Sequence, residues 1–228
     1  NTDTAMVEAA RALGIKTAEL QHGILGRHIT SDTRSTQKVA PDYLLTFGGF
    51  WSEEIHTHRP KKFIIGFEYL NEERKKYPLK KEKQIFIISD GSLAMAKLAI
   101  QLSKSHADYR IVFKLKPTEF FHWKIKYKIL DDNSDSLVVI DSDELSNYEL
   151  LSKSEYQVGG CSMLLMEGIT FNCRTVVVRG PGYSYLERLV SKGYAIIGNY
   201  DGEFDLTRAP KPDLEQIEHL FNSNLVYI

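Results

Sequence analysis

Cysteine, charge of one sign and long apolar runs are all scarce in this sequence, and each scarcity excludes a class of protein. Cysteine occurs only at Cys161 and Cys173 in 228 residues. No disulfide framework and no C-x-x-C metal or redox motif can be built from that pair. Both lie in an apolar segment, which predicts reduced, buried thiols of a cytosolic protein. Lysine and arginine number 29 against 30 aspartates and glutamates, a net charge of -1. A nucleic-acid binder would carry a basic excess. No apolar run reaches the ~18 residues that would span a bilayer, and no signal-peptide pattern is visible. A chain of this length buries roughly 70–75% of its unfolded surface and needs no covalent staples. It begins at Asn1 and opens on a helix-like segment with no strand before it. A fragment of a longer protein is therefore expected.

What is present alternates in period. Ala5, Met6, Ala9, Ala10 and Leu13 recur at helical spacing, with Asp3 or Thr4 as cap and Gly14 as stop. A short strand, residues 16–20, then runs into the turn Gln21-His22-Gly23, and the opening of this strand reads as buried. Residues 26–40 are polar and aperiodic, which predicts a loop. Strands are expected at 42–48 and 62–67, with a short helix at 50–58 between them. Residues 70–83 are highly charged and nearly free of apolar side chains, which predicts a linker. Beyond it, strand-like runs such as Gln84–Ser89 and Arg174–Val178 alternate with helix-like runs to the end of the chain. That alternation predicts a parallel sheet with right-handed crossovers. The expected division is residues 1–80 and 81–228.

Three stretches carry candidate chemistry. In residues 156–178 a strand ends in Gly159-Gly160, and Ser162 stands where a helix is expected to begin. Glycine permits close backbone approach, and the free N–H groups of a helix start favour phosphate. Glu167, five residues on, has a carboxylate suited to ribose hydroxyls. The plain alternative is a capping serine and a solvated glutamate. In residues 114–124, Lys114 and Lys116 are expected to close a strand on one face before Pro117 ends it. Lys116 can meet a phosphate as a point charge, or be an ordinary solvated lysine. In the third stretch, His22 follows a strand directly and precedes Gly23. A histidine there can act as general base or, when charged, donate to phosphate; the alternative is a strand-end residue without chemistry. Arg27, His28 and Arg34 in the following loop can clamp an anion or be solvated. Tyr183 and Tyr185, after the turn Gly180-Pro181-Gly182, read as packing residues before sugar contacts.

The order of these pieces resembles the GT-B glycosyltransferases, and more closely bacterial capsule and surface-polysaccharide biosynthesis proteins. The likeness rests on the Gln21-His22-Gly23 turn, the stretch 41–51, the charged linker, the Lys114–Pro117 strand end and the Gly159-Gly160…Ser162…Glu167 helix. It implies an α/β, GT-B-like fold. Residues 1–80 would be the C-terminal part of an N-terminal, acceptor-side Rossmann-like domain whose first half is missing. Residues 81–228 would be a Rossmann-like parallel-sheet domain that binds the nucleotide sugar. It further implies phosphate contact at Ser162, ribose contact from Glu167, and His22 facing an interdomain cleft. Family members carry a histidine-proline pair where this chain has Lys116-Pro117, a departure that keeps positive charge. UDP-sugar 2-epimerases share the architecture and a related glycine-serine-glutamate pattern.

The expected function is transfer of a sugar from a nucleotide-activated donor in bacterial capsule or lipopolysaccharide assembly. His22 would be base or phosphate stabiliser, and Lys116 with Gly159, Gly160, Ser162 and Glu167 would hold the nucleotide. Gly23, Arg27 and His28 would form a substrate loop. A glycan or lipid-linked acceptor and peripheral membrane association through the acceptor machinery complete the expected partners. No cofactor and no metal are expected. The alternatives are a nucleotide-sugar 2-epimerase and a non-catalytic binding module of a polysaccharide assembly complex.

Overall fold

A computed structural model describes residues 2–25, 40–54 and 60–222. The chain forms two compact units: Asn1–Asn71 together with Leu214–Ile228, and Glu72–Asp213. The first contains α1 (Thr2–Ala12), β1 (Ala18–Leu20), β2 (Tyr43–Thr46), α2 (Gly49–Glu54) and β3 (Lys61–Ile64). Gly14, with φ of +69°, follows α1 in the left-handed conformation that ends helices. The strands pair in parallel in the order β1-β2-β3. The expectation of a buried β1 is corrected: all three of its residues are exposed. Among the described residues β1 is an edge strand that pairs with β2 alone.

The core of this unit is aromatic. Phe47 stacks on Phe67 with ring centroids 4.2 Å apart, and Phe221 lies 6.0 Å from both. The last helix of the chain, Leu214–Leu220, closes this core. Trp51 Nε1 donates to Leu220 O at 2.7 Å, and Asn222 N donates to Phe47 O at 2.9 Å. The expected second domain ran to residue 228, but the segment from Leu214 onward groups with the first unit. The reason is this apolar and hydrogen-bonded docking, which joins residues far apart in sequence.

The boundary between the units, Asn71/Glu72, falls within the expected linker, but the first part of that segment is helical: residues Glu68–Lys76 form α3. Its charge pattern suits a helix. Glu68 lies in the first turn and Arg74, Lys75 and Lys76 in the last, complementing the macrodipole. Lys75 and Lys76 pair with Glu72 and Glu73 at i,i+3 spacing, and one apolar residue, Leu70, is buried.

The second unit continues β4 (Glu82–Ile88), α4 (Leu93–Ser105), β5 (Arg110–Lys114), α5 (Trp123–Lys126), α6 (Lys128–Asp131), β6 (Val138–Ile140), α7 (Asn147–Lys153), β7 (Ser154–Gly159), α8 (Leu164–Thr170), β8 (Arg174–Val178), α9 (Glu187–Ser191) and β9 (Ile196–Gly198). The closing helix Leu214–Leu220 is α10. The six strands run parallel in the order β6-β5-β4-β7-β8-β9. Ile85, Phe86, Ile87 and Ile88 are all buried. Such a run without alternation is what a strand covered by helices on both faces requires. No helix among the described residues is long and apolar enough to cross a membrane.

A Cβ placed on Gly48 would lie 2.5 Å from the carbonyl oxygens of His219 and Leu220, whereas one on Gly23 meets nothing within 4 Å. Gly48→Ala is therefore expected to cost about 2–3 kcal/mol by overpacking α10 against the first unit. Gly23→Ala should stay within about 0.5 kcal/mol of the parent. Urea unfolding of the two variants checks the contrast.

Candidate functional site at the carboxyl ends of the strands

The strand order of the second unit places its site. From β4 the chain winds outward through β5 and β6, then returns to β7 on the other side of β4. In doubly wound sheets, ligands bind outside the carboxyl ends of the strands at this reversal. Here Ile88 and Gly159 are paired in register at the ends of β4 and β7. The loops 89–92 and 160–163 therefore leave the sheet side by side.

The first of these loops is tightly organised. Gly91 takes φ of +92°. Its N–H donates to Ser89 Oγ at 3.1 Å, and Ser92 N donates to Asp90 Oδ1 at 2.8 Å. Ser92 Oγ then accepts from Met95 N at 3.1 Å and caps α4. Asp90 also accepts a hydrogen bond from Tyr200 Oη, which comes from the loop after β9. Burial and this neighbouring carboxylate push the Tyr200 phenol up to about 12. Two glycines make the crossing possible. A Cβ on Gly180 would lie 2.2 Å from Tyr200 Oη, and one on Gly160 would lie 3.3 Å from Asp90 Cβ.

Lys116 stands at the same edge, exposed, with its Nζ donating to Asp90 O at 3.1 Å. The expectation that Lys114 and Lys116 share a strand face is corrected. β5 ends at Lys114, which is buried and donates from Nζ to Ser142 O. Burial holds the Lys114 ammonium below its ordinary value, against the nearby Asp143. The turn after Lys116 is fixed by Glu119, which is 5% exposed. Its carboxylate accepts from Lys116 N at 2.9 Å, from Lys126 Nζ at 3.2 Å and from Tyr127 Oη. Burial alone would raise Glu119, but these donors with Ser89 outweigh it and hold the carboxyl below its usual range.

On the β7 side, Gly159 serves packing: a Cβ there would lie 3.2 Å from Ile88 Cβ and 3.4 Å from Leu165 Cδ2. Ser162 Oγ accepts from Leu164 N at 3.3 Å, so α8 starts two residues later than Ser162 itself. Cys161 is exposed rather than buried, while Cys173 is buried as expected. Glu167 lies within α8, half-buried. Burial raises its carboxyl, against a hydrogen bond from Tyr148.

Lys116, Gly159, Gly160 and Ser162 thus ring one edge, and Glu167 follows one helix away. His22 and Gly23 belong to the first unit. The residue that builds their turn is Gln21, 2% exposed. Its Nε2 donates to Gly23 O at 2.9 Å, and its Oε1 accepts from Phe47 N at 2.8 Å. His22 itself is exposed. Arg27, His28 and Arg34 lie outside the described residues. Asp90, Glu119, Tyr148 and Tyr200 carry no local motif; only their proximity in the fold marks them. The sequence does contain an acidic D-x-D, Asp141-Ser142-Asp143. Its carboxylates serve the fold, Asp141 accepting from Trp123 Nε1 at 2.8 Å and Asp143 lying 3.7 Å from Lys114 Nζ. Among the described residues no group of three histidine, cysteine or acidic side chains is placed to hold a metal ion.

No protein-family model matches the sequence. No curated protein sequence matches it. Solved structures do match in fold. Acinetobacter baumannii MurG is similar over 89% of this chain and 58% of its own, at 16% identity and a TM-score of 0.53. A putative UDP-N-acetylglucosamine 2-epimerase from Listeria monocytogenes is similar over 92% and 66%, at 12% identity and 0.61. The UDP-GlcNAc 2-epimerase from Neisseria meningitidis, bound to UDP-GlcNAc, is similar over 95% and 63%, at 17% identity and 0.58. The chain therefore spans about three fifths to two thirds of these structures. The likeness is one of fold, the GT-B-like α/β architecture with Rossmann-like parallel sheets.

The Glu119 network yields a pH test. Its folded pKa lies below the unfolded value, so the stability it contributes is present above that unfolded value and is lost as pH falls. Glu119→Gln is expected to cost about 2–4 kcal/mol near neutral pH, as a buried charged hydrogen-bond cluster loses its acceptor. The gap from the parent should narrow below pH ~4. Urea unfolding at neutral and acid pH checks both parts.

Proposed function

We propose that this chain is part of a GT-B-type glycosyltransferase that takes a nucleotide-activated sugar as donor. Bacterial capsule or lipopolysaccharide assembly, at the cytoplasmic face of the membrane, is the proposed setting. The observation that carries the reading is the strand reversal between β4 and β7, with Lys116, Gly160 and Ser162 gathered at its carboxyl edge. The fold likeness to MurG and to a structure holding UDP-GlcNAc supports it. The diphosphate would lie at this edge, with Lys116 neutralising charge that grows as the sugar–phosphate bond breaks. Glu167 would accept hydrogen bonds from the ribose hydroxyls. An acceptor hydroxyl on a glycan or lipid-linked chain would attack the anomeric carbon, with His22 taking its proton or stabilising phosphate. The reading needs no resident cofactor or metal, since the nucleotide sugar is itself substrate.

A 2-epimerase acting on the donor sugar is the second reading, favoured by the likeness to the N. meningitidis structure. Product analysis without acceptor separates them. An epimerase changes the donor sugar, whereas a transferase at most hydrolyses it slowly. A panel of UDP-, CDP-, CMP- and GDP-sugars in thermal shift identifies the base, because ligand at 100 times its Kd stabilises by about 2.7 kcal/mol. No stabilisation by any of them would overturn the proposal.

Two substitutions divide the labour. Glu167→Gln keeps shape and is expected to weaken nucleotide binding by about 1–2 kcal/mol, one charge-assisted hydrogen bond. Its effect on stability runs the other way. The folded Glu167 carboxyl holds its proton more tightly than the unfolded one, so the parent loses stability as pH rises through that window. The glutamine variant is spared this loss, so it should be at least as stable as the parent at neutral pH, with the difference shrinking below pH ~4. Calorimetric titration with nucleotide and thermal melts across pH check the pair of effects. His22→Ala in the complete protein is expected to lower turnover by roughly 10²–10⁴-fold, with less effect on nucleotide affinity than Glu167→Gln. Steady-state kinetics read the first effect and titration the second.

A further inference from the structure

The segment leaving the end of β5 is amphipathic in an unusual way. Glu119, Trp123, Tyr127 and Leu130 recur at helical spacing and are buried. Between them, Phe121 is 90% exposed and Ile125 is 86% exposed. Within the second unit, the next most exposed large apolar side chains, Leu79 and Leu93, reach only 47%. Phe121 lies in the turn before α5 and Ile125 within α5, where Ile125 N and Lys126 N both donate to His122 O. Both project into solvent. Among the described residues these turns are anchored by the buried Trp123 and Tyr127 rather than by this exposed pair.

The surroundings of this pair are basic. Residues 114–130 contain five lysines and one acidic residue, in a chain of net charge -1. That acidic residue is the buried Glu119, and Lys114 is buried too. Lys116, Lys124, Lys126 and Lys128 are exposed. Lys126 is held by Glu119, and Lys124 has a loose contact of 3.9 Å with Asp131. The outward face is thus two bare apolar side chains among lysines.

We propose that this face docks on an anionic lipid bilayer, with Phe121 and Ile125 entering the boundary between headgroups and acyl chains. The lysines would face the phosphate headgroups. Two observations favour a bilayer over a protein partner. The apolar side chains stand out from the surface, 90% and 86% exposed. Their rim is lysine, which protein interfaces disfavour and anionic bilayers attract. Apolar insertion with flanking lysines is the chemistry of interfacial membrane binding. The docked segment would leave the same sheet edge that carries Lys116.

The test is co-sedimentation of the whole chain with vesicles of phosphatidylcholine mixed with phosphatidylglycerol, and with phosphatidylcholine alone. Binding to the mixed vesicles, weakened by salt, is expected. Removing two lysines by Lys124→Gln and Lys128→Gln should weaken partition about 30-fold, at the usual contribution of each basic residue near an anionic surface. Phe121→Ser with Ile125→Ser should lower partition at least as much and leave the melting temperature unchanged, because both side chains are already in water. No binding to the mixed vesicles overturns the proposal. So does binding that survives the serine pair, which would mean charge adsorption alone, or equal binding to neutral vesicles. Self-association in sedimentation velocity that the serine pair abolishes, without vesicle binding, would assign the face to a protein contact instead.

Discussion

A parallel strand can be extended into a sheet only if the chain returns each time to the same starting edge, and that constraint organises the second unit. Each return needs a crossover, and the crossovers cover both faces of the sheet. The buried stretches of the strands are consequently mostly apolar, as in Ile85–Ile88, and most polar chemistry is displaced to the loops. Because all six strands point the same way, half of those loops emerge at one edge. The reversal between β4 and β7 then leaves two adjacent loops that diverge. Lys116, Asp90, Gly160 and Ser162 are neighbours for this topological reason, although they are spread over more than seventy positions.

The glycines at that edge acquire a different meaning in the structure. In sequence, Gly159-Gly160 read as room for a ligand and Gly180-Pro181-Gly182 as a turn. Part of the room is already filled. Tyr200 lies across Gly180 and reaches Asp90, whose side chain stands over Gly160. A diphosphate at this edge would meet a phenol paired to a carboxylate as well as backbone and Lys116. In the proposed reading the Asp90 carboxylate would favour the sugar hydroxyls of a donor over its phosphates, since like charges repel. This gives the edge two chemically distinct sides, a cationic one at Lys116 and an anionic one at Asp90.

The fold was legible wherever a single period ran long enough. Leu93–Ser105 and the apolar strands declared themselves because one face, or both, had to be buried. Residues 68–76 misled because their helix is held mainly by charge pairs and by Leu70, which apolar periodicity does not report. The placement of α10 was invisible for another reason: its partners Phe47 and Trp51 are about 170 positions away, and no local pattern encodes that docking. At the site, Lys116, Gly160 and Ser162 could be found because strand-end glycine and lysine have local signatures. Asp90, Tyr200 and Glu119 could not, since an aspartate, a tyrosine or a glutamate in a loop is ordinary until the fold surrounds it. Gln21 was overshadowed by His22 beside it, yet it is the glutamine that spends both ends of its amide on the turn.

Glu119 and Glu167 separate structural from functional use of a partly or fully buried carboxylate. Glu119 is surrounded by donors from three side chains and one backbone amide, and its proton affinity falls despite burial. A carboxylate so fully satisfied has little capacity left for a ligand; it fixes the turn that carries Lys116 and the lysine-rich face beyond it. Among the described residues the donor to Glu167 is Tyr148, set against a desolvation penalty that wins. Its ionised form is disfavoured by burial, and each further donor would lower that penalty. The hydroxyls of a sugar are such donors. A carboxylate so placed lowers the stability of the fold, and in the proposed reading a polyhydroxyl ligand would restore it. The two carboxyls are thus shifted in opposite directions, Glu119 down by its donors and Glu167 up by burial, which is the contrast the proposed ribose role of Glu167 draws on.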